Sequence, residues 1–240
     1  MITDARLSVL ASLGIDPTEQ KKVSSGDTKS NDFDRIRMGN FGASEFWKLL
    51  TASMKIAAND TQRNYIFEKA FEKQTGKRAK KGFSAQATDW GNEYEGSAIE
   101  QYMEVTGRKV DFWGNYQKFY KHPIYDVGAF PDGKVRDEKR GIEAKCPFNG
   151  GVHLQNLYCG NDLEKFKKLR TKYYIQTQVQ MWCAEWDFVD FFSYVHDIQG
   201  IPNHYLLEIP RDENVIVLIE EAAKKAQQER DEIIEALKGR

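Results

Sequence analysis

Ala129-Phe130-Pro131-Asp132-Gly133, nine further residues, then Glu143-Ala144-Lys145-Cys146-Pro147: on this stretch the reading of the chain turns. Five acidic-x-Lys triplets occur, at Glu19, Asp27, Asp132, Asp137 and Glu143. Of these, Glu143-Ala144-Lys145 lies inside an apolar, strand-like run, with Ile142 before it. Side chains alternate along a strand, so Glu143 and Lys145 share one face. A glutamate and a lysine in a strand interior are costly to bury unless they pair or bind a metal. Asp137-Glu138-Lys139 instead falls in a charged turn, Arg136–Arg140, where solvated charge is the simpler reading.

The chemistry suited to such a set is metal-assisted phosphodiester hydrolysis. Magnesium takes hard oxygen ligands at about 2.0–2.1 Å and keeps several waters. Asp132 and Glu143 offer carboxylates, and the Ala144 carbonyl offers a further oxygen. A cation there polarises a phosphoryl oxygen and lowers the pKa of an attacking water. The Lys145 ammonium is placed to orient that water. The bland alternative is a partly buried ion pair beside an ordinary turn aspartate.

Working outward, Trp90, Tyr94, Ala98 and Tyr102 recur every four residues and predict an amphipathic helix over 88–106, stopped by Gly107. Glu95 flanks its apolar stripe and can face a cleft, as a further acid near the metal. Another helix is expected over 61–75, ending at Gly76, followed by a mobile basic loop, 77–87. Gly42-Ala43 leads into a short helix over 45–50 with Ser44 as its N-cap. Short β-type runs cover 109–113, 116–120, 124–130 and 141–146. A helix over 171–185 carries Gln176, Gln178 and Gln180; the first and last share a face, and Gln178 points elsewhere. Strands near 187–196 and 204–209 precede a long final helix capped by Asp212. The order predicts one α/β (α+β) domain with a central mixed sheet flanked by helices. Its parts are an N-terminal helix and polar linker (1–32), a core (33–210) and a C-terminal helix (211–240).

At 240 residues, 40% hydrophobic, the chain can bury a substantial core. No apolar run approaches the roughly 20 residues needed to span a bilayer, so no membrane role is expected. Cys146, Cys159 and Cys183 form no CxxC pair, and a reducing cytoplasm is the expected setting, the host's if the chain is phage-encoded. A net charge of −1 provides no global attraction to nucleic acid. Positive charge is instead clustered, at Lys77, Arg78, Lys80 and Lys81 and again from Lys165 to Lys172. Arg35 and Arg37 stand just ahead of the helix that follows Ser44, an arrangement that suits a phosphate.

Four blocks in this order, Arg37-Met38-Gly39 with Ala43-Ser44-Glu45, Trp90-Gly91 with Tyr94-Glu95, Pro131-Asp132-Gly133 with Glu143-Ala144-Lys145-Cys146-Pro147, and Tyr173 with Gln176 and Gln178, are specific as a set. With them the chain resembles the phage lambda exonuclease family of viral recombination nucleases (viral alkaline exonucleases and YqaJ-type recombinases), within the PD-(D/E)xK superfamily. The resemblance implies that Asp132, Glu143 and the Ala144 carbonyl hold magnesium (Mg2+), with Mn2+ as a substitute and two ions per site. Lys145 would assist the attacking water, with Glu95 and Gln176 around it, and Arg37, Ser44 and Arg35 would bind the terminal 5′-phosphate. It further implies 5′→3′ digestion of double-stranded DNA that leaves 3′ single strands, a single-strand annealing protein as partner, and a homotrimeric ring. One position departs: the lambda enzyme has serine immediately before its Pro-Asp, where this chain has Phe130, so a hydroxyl contact is lost or supplied elsewhere.

Two other readings use the same residues. One is a structure- or site-specific endonuclease on this fold. The other, from a different class, is a non-catalytic DNA-binding protein, against which the presence of Asp132, Glu143 and Lys145 counts.

Overall fold

The motif stretch folds as the junction of two mixed sheets. A computed structural model of the chain describes residues 35–79 and 86–238. The expected N-terminal helix and linker over 1–32, and residues 80–85 of the basic loop, lie outside the described residues. The smaller sheet has the order β1 (Phe41–Gly42), β4 (Val127–Ala129), β3 (Tyr120–Lys121). In the larger, β2 (Val110–Asp111), β5 (Gly133–Val135), β6 (Arg140–Lys145), β7 (Phe188–Tyr194) and β8 (His204–Pro210) lie side by side. The pairs β1–β4 and β6–β7 are parallel and the others antiparallel. The expected central mixed sheet is therefore two sheets, joined in sequence by Phe130-Pro131-Asp132.

Among the described residues six α-helices accompany them: α1 (Asp60–Thr75), α2 (Gln86–Thr106), α3 (Gly150–Cys159), α4 (Leu163–Leu169), α5 (Thr171–Ala184) and α6 (Glu213–Leu237). Local chemistry sets several ends. Asn59 caps α1 by accepting from the Gln62 N–H at 2.9 Å, and Gly76 ends it at φ +64°. Asp212 caps α6 by accepting from the N–H groups of Asn214 and Val215. Among the described residues no helix is long and apolar enough to cross a membrane.

Three expectations are corrected. The segment after Gly42 is a 3-10 helix, Ala43–Leu49, in which Ser44 is the second residue and makes no capping bond. Arg140, read as the end of a charged turn, opens β6 and is buried against Asp190 of β7. The stretch from 150 to 169, to which no helix was assigned, contains α3 and α4.

Helix α5 is buried continuously from Tyr174 to Cys183, so its polar residues have to find partners inside. Ile175, Val179 and Trp182 enter a core with Phe41, Phe46, Leu49, Ile219 and Ala223, while Tyr174 and Met181 enter a second with Phe166, Phe191 and Ile209. Each fully buried side chain of this size contributes about 1.5–3 kcal/mol. On the sheet side, Gly141 of β6 lets Trp186 close in, since a Cβ there would lie 2.0 Å from the indole.

A second anchor fixes the segment that carries Arg37. Arg230 of α6 is fully buried; it donates to the Gly39 carbonyl at 2.8 Å and to Asp126, just before β4, at 2.9 Å. Lys73 and Lys121 also reach Asp126, at 2.9 and 3.0 Å. Burial alone would raise the Asp126 carboxyl, but the bonds from Lys73 and Lys121 and the charge of Arg230 hold it well below the usual carboxylate range. A depressed folded value gives stability that is present above the unfolded value of about 3.9 and lost as pH falls through the folded one. We therefore expect Asp126→Asn, which removes one of the two carboxylates facing Arg230 and leaves Asp231 as the other, to cost about 2 kcal/mol near pH 7. Urea unfolding of both proteins should show that gap shrinking below about pH 4; a gap independent of pH would contradict the assignment.

Candidate active site

Asp132 sits at the corner where the chain passes from β4 to β5. Its N–H donates to the Ile142 carbonyl at 3.0 Å, and its Oδ2 accepts from the Ala144 N–H at 2.8 Å, so it is fastened twice to β6. The N–H and C=O of one strand residue point to the same edge. The Ala144 carbonyl therefore also faces Asp132, and Lys145 Nζ donates to it at 3.1 Å. The expected strand face holds: Lys145 Nζ pairs with Glu143 Oε1 and stands 3.8 Å from Asp132 Oδ2.

Glu143 has no solvent exposure. Gln176 Nε2 donates to its Oε1 at 2.7 Å, and Gln180, one helical turn further along α5, donates to Oε2. Gln178, on another face as expected, joins the Pro210 carbonyl and the Asp212 N–H instead. Glu95 of α2 connects to Asp132 through Gln117, whose amide donates to Glu95 Oε1 at 2.9 Å and to Asp132 Oδ1 at 3.3 Å. The sequence reading missed Gln180 and Gln117. The four-residue spacing from Gln176 marks the first, whereas Gln117, read as part of a strand over 116–120, lies in irregular chain between a 3-10 turn and β3, so strand alternation does not place it.

The electrostatics follow from three carboxylates meeting one ammonium in a poorly hydrated place. Burial pushes the Asp132 carboxyl well up, the Glu143 charge adds to this, and Lys145 opposes it. Burial also raises Glu95, against the pull of Lys145 and with a push from Glu143. Burial alone would lower Lys145, but Glu143 and Asp132 more than reverse it, so the ammonium keeps its proton. Burial and the nearby carboxylates push the Cys146 thiol up to about 12, which leaves it unreactive. Among the described residues no group of three or more His, Cys, Asp and Glu side chains is arranged for a metal. The oxygen set is two carboxylates and a backbone carbonyl, with Glu95 one amide away. Hard oxygens with a surplus of negative charge fit magnesium or manganese.

Two cavities meet at this cluster. One, of about 240 Å³, is lined by Arg37, Ser44, Phe130 and Gln176 together with Asp132, Glu143 and Lys145. The other, of about 470 Å³, shares Asp132 and Lys145 and is lined also by Glu95, Ala144, Phe148 and Tyr173. The structure thus brings together Asp132, Glu143, Ala144, Lys145, Glu95 and Gln176, and sets Arg37 and Ser44 on the wall of the first cavity. Arg35 is exposed and is not among the residues lining either cavity, whereas Arg78, from the start of the basic loop, lines the first.

A raised folded pKa means that ionising the carboxyl opposes folding above its unfolded value. In protein stripped of divalent ions, Asp132→Asn should therefore be stabilising by about 1–2 kcal/mol at pH 8. The gain should fade as pH falls toward about 3.9, where the unfolded carboxyl also takes up its proton. Denaturation in EDTA at pH 8 and pH 5 measures this; a destabilised variant at pH 8 would mean that the carboxylate is a net stabiliser.

Comparison with known proteins bears on the fold and the family. The alkaline exonuclease LHK-Exo from Laribacter hongkongensis superposes with a TM-score of 0.71 at 28% identity, over 86% of this chain and 95% of that one. The same protein in complex with dAMP gives a TM-score of 0.67 at 28% identity, with the same coverage. A phage-related exonuclease from Haemophilus somnus 129PT, 21% identical, shares the fold with a TM-score of 0.65 over 85% of this chain and 99% of its own. No curated protein sequence matches significantly. Residues 32–187 match the YqaJ-like viral recombinase domain, well over half of the chain, and the chain belongs to that family, which supports a nuclease role.

Proposed function

We propose that the chain is a magnesium-dependent 5′→3′ exonuclease on double-stranded DNA, leaving 3′ single strands for recombination by strand annealing. One observation carries the reading: Asp132 and Lys145 line both of two cavities, with Glu143 on the wall of the first beside Arg37 and Ser44 and Ala144 on the wall of the second. Asp132, Glu143 and the Ala144 carbonyl are the groups that would hold magnesium, or manganese in its place, and Glu95 with Asp132 suits a second ion. When bound, the metal polarises the phosphoryl oxygen and makes water a stronger nucleophile. Gln176 and Gln180 keep the Glu143 carboxylate from rotating away. Lys145, protonated, orients the attacking water and offsets negative charge as it grows on the phosphate. Arg37 and Ser44 receive the 5′-terminal phosphate, which ties cleavage to a DNA end. A homotrimeric ring around the duplex and a single-strand annealing partner are proposals that rest on the family likeness.

End-labelled linear duplex and closed circular DNA, each incubated with and without magnesium, test the reading. The linear substrate should be consumed from its 5′ ends only with metal, and the circle should persist; nicking of the circle would favour an endonuclease. Lys145→Ala should slow digestion by about 10²–10⁴-fold, and a wild-type rate in that variant would defeat the mechanism. Arg37→Ala should erase the preference for phosphorylated over hydroxyl 5′ ends, and an unchanged preference would reject its role.

A further inference from the structure

Phe130 stands immediately before Pro131-Asp132, and its ring has a defined place. The Arg37 guanidinium carbon lies 4.6 Å from the centre of the Phe130 ring. Phe130 packs in turn on Phe119, with ring centres 4.8 Å apart and planes inclined by 36°. Phe119 rests on the backbone of β4 at Gly128, where a Cβ would fall 2.1 Å from the ring. Gly128 is held on both sides, opposite Gly42 of β1 and Lys121 of β3. The stack therefore runs from a paired strand through two rings to a guanidinium, and all four residues line the same 240 Å³ cavity as Ser44 and Lys145.

A long, exposed arginine ordinarily spreads over many rotamers, and ordering it on binding weakens capture. An aromatic face beneath the guanidinium limits that spread by a cation–π contact. Such a contact uses the π face of the group, whereas a bidentate phosphate is bound by its in-plane N–H edge. We propose that Phe130, seated on Phe119, is a positioning residue that aims Arg37 at the terminal 5′-phosphate. The inference rests on the phosphate pocket of the proposed function, and it assigns end recognition in this chain to a stack of rings.

Fluorescence anisotropy in EDTA, with duplexes bearing either a 5′-phosphate or a 5′-hydroxyl, tests it without catalysis. Wild type should bind the phosphorylated end more tightly, Phe130→Leu should narrow that ratio about three- to fivefold, and Phe130→Tyr, which keeps the ring, should retain it. Adding Phe130→Leu to Arg37→Ala should narrow the ratio no further than Arg37→Ala alone, because both act on one contact. Phe119→Leu supplies a second route to the same loss should Phe130→Leu unfold, as judged by thermal denaturation. An unchanged ratio in a folded Leu variant, or no preference in wild type, would overturn the proposal. Magnesium-driven digestion followed in parallel separates the two readings. Its absence in wild type would sink the nuclease function, while the binding ratio still decides the role of Phe130.

Discussion

A carboxylate with no access to water has to be surrounded by donors, and Glu143 is such a carboxylate. Three converge on it, from Lys145, Gln176 and Gln180. This requirement explains features that otherwise look unrelated. Helix α5 has to present two glutamines one turn apart while packing apolar residues into cores on two other sides. Strand β6 has to sit beside β7, deep enough that Arg140 and Glu143 are buried. Asp132 has to reach β6 from the junction of the two sheets. The same arrangement that satisfies Glu143 leaves Asp132 and Glu95 with raised carboxyl pKa values and places Lys145 between Glu143 and Asp132, a state that stores negative charge at the cost of stability.

The cluster lies between two cavities of different character. One has arginines, Ser44 and a pair of stacked phenyl rings; the other has Phe148 and Tyr173 beside Glu95. Membership of the YqaJ-like viral recombinase domain family and the likeness to an alkaline exonuclease support a nuclease role for the chain. The anchoring of Gly39 by Arg230, a residue far away in sequence, shows why the C-terminal helix belongs to the functional unit: it fixes the turn just after Arg37.

Much of the site was legible because its logic is short-range. The period of two that puts Glu143 and Lys145 on one face, and the period of 3.6 that separates Gln176 and Gln180 from Gln178, are local geometry. What the glutamines bond to is not local, and so Gln180 stayed hidden although its spacing was visible. Gln117 and Phe119 lie in irregular chain whose course is set by packing on Gly128 and Asp132. Helices α3 and α4 escaped because they are short, the first opening on Gly150-Gly151 and the pair separated by a Gly160-containing turn, so neither builds a readable stripe. Ser44 was misplaced for a related reason: a 3-10 helix that starts at Ala43 leaves no role for a cap one residue later.

The central claim is that Asp132, Glu143 and the Ala144 carbonyl form the seat of a divalent cation. Anomalous scattering from crystals soaked in manganese tests it most directly. A peak should lie within about 2.1 Å of oxygens from all three residues, with the Lys145 ammonium displaced from Glu143 but still adjacent. Manganese bound elsewhere, with Lys145 still bridging Glu143 and Asp132, would contradict it.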